Sequence, residues 1–193
     1  MFTILAAPIA VHAAKGDPEK VEPAKPLAEF ELTDHRGLNF GKDQFTGKWS
    51  LVLLGFTQCP DICPFTLQNL TQVVEQLTLR VRPDRLPQVV FVGVDPDRDK
   101  PVLGDYVKAF SPNFVGATGD WAEITRVVES LEGYVRLDKK TPDAKDYQVF
   151  HSAFVAVIDP EGRLAARLSP PMEPNATALF LATLMREYAK AIN

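Results

Sequence analysis

The sequence predicts an α/β domain in which a mixed central sheet is flanked by helices. Three observations carry that prediction. Two continuous apolar runs of strand length, "SLVLLGFT" (50–57) and "QVVFVGV" (88–94), are separated by a segment with helical periodicity. Such runs mark strands covered on both faces, and a helix between two of them implies parallel pairing through a right-handed crossover. Near the end, "AFVAVID" and "RLAARLS" flank the turn "PEG", which adds an antiparallel hairpin before a last helix.

Taken in order, the elements are these. The first residues, "MFTILAAPIAVHAA", are small and apolar, and "KGDPEKVEPAKP" after them is polar and proline-rich. The apolar run is too short to span a bilayer as a helix. It resembles the apolar part of an export signal, with Val11-x-Ala13 as a small-residue cleavage site, although no Lys or Arg precedes it. Residues 1–26 are therefore expected to be an export- or anchor-like segment followed by a linker over 15–26, and residues 27–193 a single domain. "AEFELTDHRGLNF" predicts a hairpin turning at "DHRG".

After the first buried strand, "FTLQNLTQVVEQLTLR" places Leu67, Leu70, Val73, Val74 and Leu77 on one helical face. "PVLGDYVKAF" (101–110) predicts a short helix with Pro101 in its first turn. "NFVGAT" and "DWAEITRVVESL" predict an additional strand and helix, and "NATALFLATLMREYAKAI" a C-terminal helix capped by Asn175. This order, with an N-terminal hairpin and one inserted strand–helix pair, is that of the thioredoxin fold.

Composition narrows the function. The chain of 193 residues has a formal charge of −4, which argues against a nucleic-acid partner needing a basic face. Its two cysteines are too few for a disulfide-dense scaffold. They are Cys59 and Cys63, in "QCPDICP", directly after the first core strand and at the start of the first core helix. Each precedes a proline, which disfavours helical backbone at the cysteine. Cys59 is therefore expected in the loop, and Cys63 at the helix N-cap with Pro64 as first helical residue. The positive end of the helix dipole there is expected to favour thiolate in both. The three-residue spacing is compatible with a disulfide and with two thiolates splayed around a metal, and does not choose between them.

Of three histidines, His12 lies in the apolar tail without an assigned role, and His35 is expected to be solvated in its turn. His151 sits in "VFHSAFVAVID", just before the strand of the closing hairpin, where the thioredoxin fold brings a residue, commonly a cis-proline, opposite the cysteine motif. Two thiolates and one imidazole suit a soft or borderline metal. Copper(I) accepts three ligands. Zinc normally takes a fourth, for which Asp61 or a water is the available donor.

Other candidates are weaker. "DPDRD" spaces Asp95, Asp97 and Asp99 like the start of a calcium loop, but Lys100 and Tyr106 stand where glycine and glutamate are needed. Turn and capping roles are expected instead. Trp49, Phe56 and Phe65 around the motif are expected to be core packing, and Met172 and Met185 are not expected to ligate metal.

Together "GFTQCPDICP", "VGVDPDRD", "YVKAFSPNFVGATG" and "HSAFVAVIDPEG" resemble the Sco/SenC family of copper-binding, thioredoxin-like proteins, from about Phe30 to the end. The resemblance implies copper, as Cu⁺ or Cu²⁺, held by Cys59, Cys63 and His151. It implies a role in assembling the dinuclear copper centre of cytochrome c oxidase, with the copper-site subunit of the oxidase as partner and another copper carrier or a thiol reductase as further partners. It implies a domain on the periplasmic side of the inner membrane, exported or anchored through the N-terminus. The alternative it carries is a thiol–disulfide oxidoreductase in which Cys59 and Cys63 are a redox-active pair that keeps the subunit's cysteines reduced. A thiol peroxidase is disfavoured, because Phe56 and Pro60 stand where that branch has a threonine three residues before the reactive cysteine. One departure stands beside the histidine: many members have an acidic residue there, and this chain has Phe150.

Overall fold

A computed structural model describes residue 16, residues 18–141 and residues 144–192. The strands are β1 (Glu19–Pro26), β2 (Glu31–Asp34), β3 (Asn39–Gly41), β4 (Ser50–Gly55), β5 (Gln88–Gly93), β6 (Val115–Thr118), β7 (Val135–Asp138), β8 (Gln148–His151), β9 (Val155–Ile158) and β10 (Arg163–Leu168). The helices are α1 (Ile62–Thr78), α2 (Pro96–Asp99), α3 (Leu103–Lys108), α4 (Trp121–Ser130) and α5 (Pro174–Ala191). Eight strands form one sheet in the order β1-β10-β9-β4-β5-β6-β2-β3, and β7 and β8 form a separate pair.

The centre follows from the two apolar runs. β4 is buried along its whole length and pairs in parallel with β5, and β5 pairs in parallel with β6. On its other side β4 pairs antiparallel with β9, and β9 with β10. Successive side chains of a strand point to opposite faces, so β4 feeds two cores. Leu51 and Leu53 pack with Leu67, Leu70, Val73 and Leu77 of α1 and with Leu181 of α5. Val52 and Leu54 pack with Ile124, Val127 and Val128 of α4 and with Leu32 and Phe40 of the N-terminal hairpin. This is the thioredoxin-like arrangement expected, with the extra strand β6 and helix α4 in place.

Four local expectations are corrected. The segment read as linker contains β1, which pairs antiparallel with β10 at the sheet edge. Charged residues and prolines suit an edge strand, whose outer row of backbone groups faces solvent. α1 begins at Ile62, so Cys63 and Pro64 are its second and third residues. Proline is tolerated there because the first four N–H groups of a helix have no partner within it. α5 is capped by Glu173, whose carboxylate accepts from the Asn175 and Ala176 N–H groups, with Pro174 at the first helical position. Pro101 lies ahead of α3, whose N-cap is Val102. The hairpin β7–β8 was not anticipated: its four-residue strands alternate between half-buried and exposed positions, a weak signal.

The "DPDRD" run is a turn, as expected, in which the Asp99 carboxylate accepts from the Asp95 N–H at 2.9 Å. Asp95 is the N-cap residue of the one-turn helix α2, and both Asp95 and Asp99 are buried. Among the described residues no helix is long and apolar enough to cross a membrane. Val11, His12 and Ala13, with the rest of the apolar first segment, lie outside the described residues.

Candidate metal centre

Both cysteines lie at the carboxyl end of β4, where chemistry gathers in open α/β sheets. β4 ends at Gly55, and the loop from Phe56 to Asp61 carries the chain into α1. The Cys59 N–H donates to the Phe56 carbonyl at 3.1 Å, closing a turn that turns Cys59 back over the strand end. Cys59 is half-buried, Cys63 is buried, and both are free thiols. A Cβ placed on Gly55 would stand 2.6 Å from Cε2 of Phe91 and 3.0 Å from Sγ of Cys63. Only glycine leaves room for the sulfur there.

The histidine comes from the separate hairpin. His151 is the last residue of β8, paired with Val135 of β7. The Ser152 N–H donates to the Tyr134 carbonyl at 3.0 Å, and the Tyr134 N–H to the Ser152 hydroxyl at 2.9 Å. This lock sets the end of the hairpin. His151 Nε2 lies 3.6 Å from Cys63 Sγ, and its Nδ1 lies 2.9 Å from the Ser152 carbonyl. A carbonyl only accepts, so Nδ1 carries the proton and Nε2 presents its lone pair to the sulfur. The Phe56 ring meets the imidazole edge-on, with centroids 6.0 Å apart.

Electrostatics sharpen the picture. Burial pushes the Cys63 thiol well up, against a hydrogen bond from the Phe56 backbone that pulls it down. Burial pushes His151 down, with the Ser152 carbonyl opposing. Both shifts favour the uncharged forms of the pair. The thiolate expected at Cys63 from the helix dipole is corrected: burial of the sulfur, with Cys59 beside it, raises the thiol. A soft cation held between Sγ and Nε2 would have to displace the thiol proton and would meet the Nε2 lone pair.

Of the residues singled out from sequence, Cys63 and His151 are brought together, and the half-buried Cys59 side chain lies against Cys63, whose thiol it helps to raise. Among the described residues no three Cys, His, Asp or Glu side chains are set closely enough to hold a metal without movement. Asp61 is exposed, and Met172 and Met185 are buried in the core. Trp49 is core, against Tyr188. Phe65 is 47% exposed and not core, and Phe150 is 42% exposed beneath the Arg136 guanidinium, 4.6 Å from its ring centroid. His35 is not simply solvated: its Nδ1 accepts from the Gly116 N–H at 3.2 Å and ties the N-terminal hairpin to β6. One contributor had no sequence signal, the Ser152 carbonyl that fixes the tautomer; Phe56, expected to be core packing, is half-buried with its ring against the imidazole.

A model of the SCO1/SenC family matches residues 18–186. The human protein "SCO1 homolog, mitochondrial" is 35% identical over 189 residues, covering 93% of this chain, which spans 62% of the length of that relative. An SCO2-like protein of Rickettsia felis is 37% identical over 154 residues, covering 79% of this chain and 74% of its own. Among solved structures, yeast Sco1 with copper bound superposes with a TM-score of 0.76 at 29% identity, over 84% of this chain and 89% of its own. The solution structures of apo Sco1 from Thermus thermophilus give a TM-score of 0.71 at 32% identity, over 92% and 98%. The match runs through both the cysteine loop and the histidine hairpin, and the chain belongs to the SCO1/SenC family.

Proposed function

We propose that this chain is a copper carrier that holds the metal through Cys59, Cys63 and His151 and passes it to the dinuclear copper site of cytochrome c oxidase. The observation that carries this reading is the 3.6 Å approach of His151 Nε2 to Cys63 Sγ. Nothing in the packing of a core requires a lone-pair nitrogen to face a buried sulfur, and a thiolate–imidazole pair is a soft-to-borderline donor set. Cu⁺ would replace the thiol proton between the two, and Cys59, whose side chain already lies against Cys63, supplies the third ligand. A half-exposed Cys59 is also the point where an incoming cysteine of the oxidase subunit can exchange for it, so transfer proceeds by stepwise replacement of sulfur ligands. Copper bound in the yeast relative supports the choice of metal, and the family's part in oxidase assembly supports the partner. We further propose that the domain lies on the exported side of the membrane, tethered or released through its apolar first segment.

Anaerobic titration of the reduced protein with Cu⁺ tests the reading. One equivalent is expected to bind, with Cys59→Ser, Cys63→Ser and His151→Ala each weakening retention. Unchanged binding in all three variants overturns it.

The exposure difference between the two free thiols favours one second reading, a thiol–disulfide reductase. Cys59 thiolate attacks one sulfur of a partner disulfide, breaking its S–S bond, releasing the partner's first thiolate and forming a mixed disulfide. Cys63 then loses its proton and attacks Cys59, releasing the partner's second thiolate and leaving a Cys59–Cys63 disulfide. Two electrons pass to the partner, and an external thiol reductant restores the pair. Turnover of a disulfide peptide copying the partner's copper-binding cysteines is expected in that case, and its absence at a stoichiometry of one excludes it.

A further inference from the structure

The hairpin that carries His151 has no hydrogen-bonded place in the main sheet: β7 and β8 pair only with each other. An isolated two-stranded hairpin is at best marginally stable in water. Contacts outside the sheet must therefore hold His151 against the cysteine loop: Val135 and Val149 of the hairpin pack partly against the core, and polar and ring contacts come from the chain leading into β8.

Those contacts converge on Tyr147 and Arg98. Tyr147 is buried one residue before β8, and its hydroxyl donates to the fully buried Asp95 carboxylate at 2.7 Å. Arg98, on α2, pairs through Nε with the same carboxylate. Its guanidinium carbon stands 3.9 Å from the Tyr147 ring centroid, and its terminal nitrogens reach the Tyr147 carbonyl at 3.5 Å. On the other side the guanidinium lies 5.8 Å from the ring centroid of Phe56 and donates to Gln58 Oε1 at 3.4 Å. Phe56 and Gln58 belong to the cysteine loop, and Phe56 backs the His151 ring. Lys139 covers the Tyr147 ring at 4.6 Å and is anchored by Asp97 at 2.9 Å. One planar cation thus touches both of the chain segments that supply ligands, 88 residues apart.

We propose that Arg98 and Tyr147, joined through Asp95, are positioning residues that clasp the His151 hairpin to the cysteine loop and set how long the metal is retained. The proposal rests on the copper reading for its functional consequence. The clasp itself is a property of the metal-free protein. Its planar geometry is what matters: the guanidinium stacks on the Tyr147 ring while it pairs the Asp95 carboxylate and stands within cation–π range of Phe56, which an ammonium does not reproduce. Opening the clasp lets the hairpin swing away and withdraws the imidazole while leaving the sulfurs in place.

The test uses Arg98→Lys, Tyr147→Phe and Lys139→Ala, the last leaving the buried carboxylate and its two partners intact should either of the others fail to fold. In the copper-free protein, exchange of the Ser152 amide is expected to accelerate at least tenfold while amides of β4 are unchanged. In the copper-loaded protein, transfer of Cu⁺ to a competing chelator is expected to quicken by roughly 10–100-fold, the range for lost outer contacts of a metal ligand. Repeated in a His151→Ala background, Tyr147→Phe is expected to have no further effect on transfer. A merely structural role gives the same acceleration in both backgrounds and overturns the proposal. So does unchanged Ser152 exchange in all folded variants, a result that stands whether or not copper binds. Absence of copper binding in the unmodified protein, with Ser152 exchange accelerated as expected, overturns the copper reading and leaves the clasp.

Discussion

Nε2 of His151 faces Sγ of Cys63 at 3.6 Å, with Nδ1 committed to the Ser152 carbonyl at 2.9 Å. The imidazole is therefore held in one tautomer and one orientation before any metal arrives. His151→Ala is expected to lower Cu⁺ affinity by at least the roughly 10–100-fold that loss of an outer partner of a metal ligand costs. His151→Cys, which keeps a soft donor, is expected to recover part of it. Competition against a chelator of known affinity checks both.

The space beside Cys63 depends on Gly55. Its Cβ position is 2.6 Å from Phe91 and 3.0 Å from the sulfur, and both are buried. Gly55→Ala is expected to destabilise the fold by about 1–3 kcal/mol, as overpacking of a filled core does. It is also expected to displace the sulfur and weaken copper binding. Denaturant midpoints and copper competition measured on the same variant report the two effects.

Tyr106 presents the opposite case. Among the described residues the buried side-chain polar atoms without a partner are the Tyr106 and Thr66 hydroxyls. An unpaired buried hydroxyl has lost its water and gained nothing in return. Tyr106→Phe is expected to leave the unfolding midpoint unchanged or raise it by up to about 1 kcal/mol of stability. A fall of that size shows that the hydroxyl has a partner in solution.

Stability is expected to depend on pH through Asp99. Burial raises its carboxyl to about 6, although N–H groups of Thr57 and Asp95 and the Thr57 hydroxyl donate to it and pull it down. The folded value lies above the ordinary unfolded value of about 4. Its contribution is thus full below about pH 4 and is lost as pH rises through about 6, amounting to at most about 3 kcal/mol. Asp34 has the other sign. Burial pushes it up, but Arg36 and the Leu38 and Arg36 N–H groups outweigh burial and hold it below the usual range, so its contribution is lost in acid. Melting temperatures across pH are expected to lose the decline between about pH 4 and 6 in Asp99→Asn and the acid-side fall in Asp34→Asn. The same profile in either variant as in the unmodified protein contradicts the assignment.

How much of this was legible in the sequence varied with burial. β4, β5 and β9 are buried on both faces, so their residues form unbroken apolar runs. β1 was hidden because "EKVEPAKP" is an edge strand whose polar outer face leaves no periodicity. The hairpin β7–β8 was hidden because it stands apart from the sheet and buries little. At the site, residue types and fold order pointed to Cys59, Cys63 and His151, since nucleophiles and ligands are side chains and sequence lists them. What sequence withheld is backbone and distance: the Ser152 carbonyl that selects the tautomer, the burial that raises the Cys63 thiol, and the Arg98 guanidinium that spans two distant segments. The N-cap misreadings at Cys63 and Asn175 share one cause. Proline fits several first-turn positions, so its presence fixes a helix start only to within a residue or two.

The central claim is that three side chains, two sulfurs and one imidazole nitrogen, converge on one copper ion. X-ray absorption of the protein loaded anaerobically with one equivalent of Cu⁺ measures that set directly. The account predicts a three-coordinate Cu⁺ with two sulfur scatterers and one imidazole nitrogen, the nitrogen component vanishing in His151→Ala. A first shell of sulfur alone, or a spectrum identical in the His151→Ala variant, contradicts it.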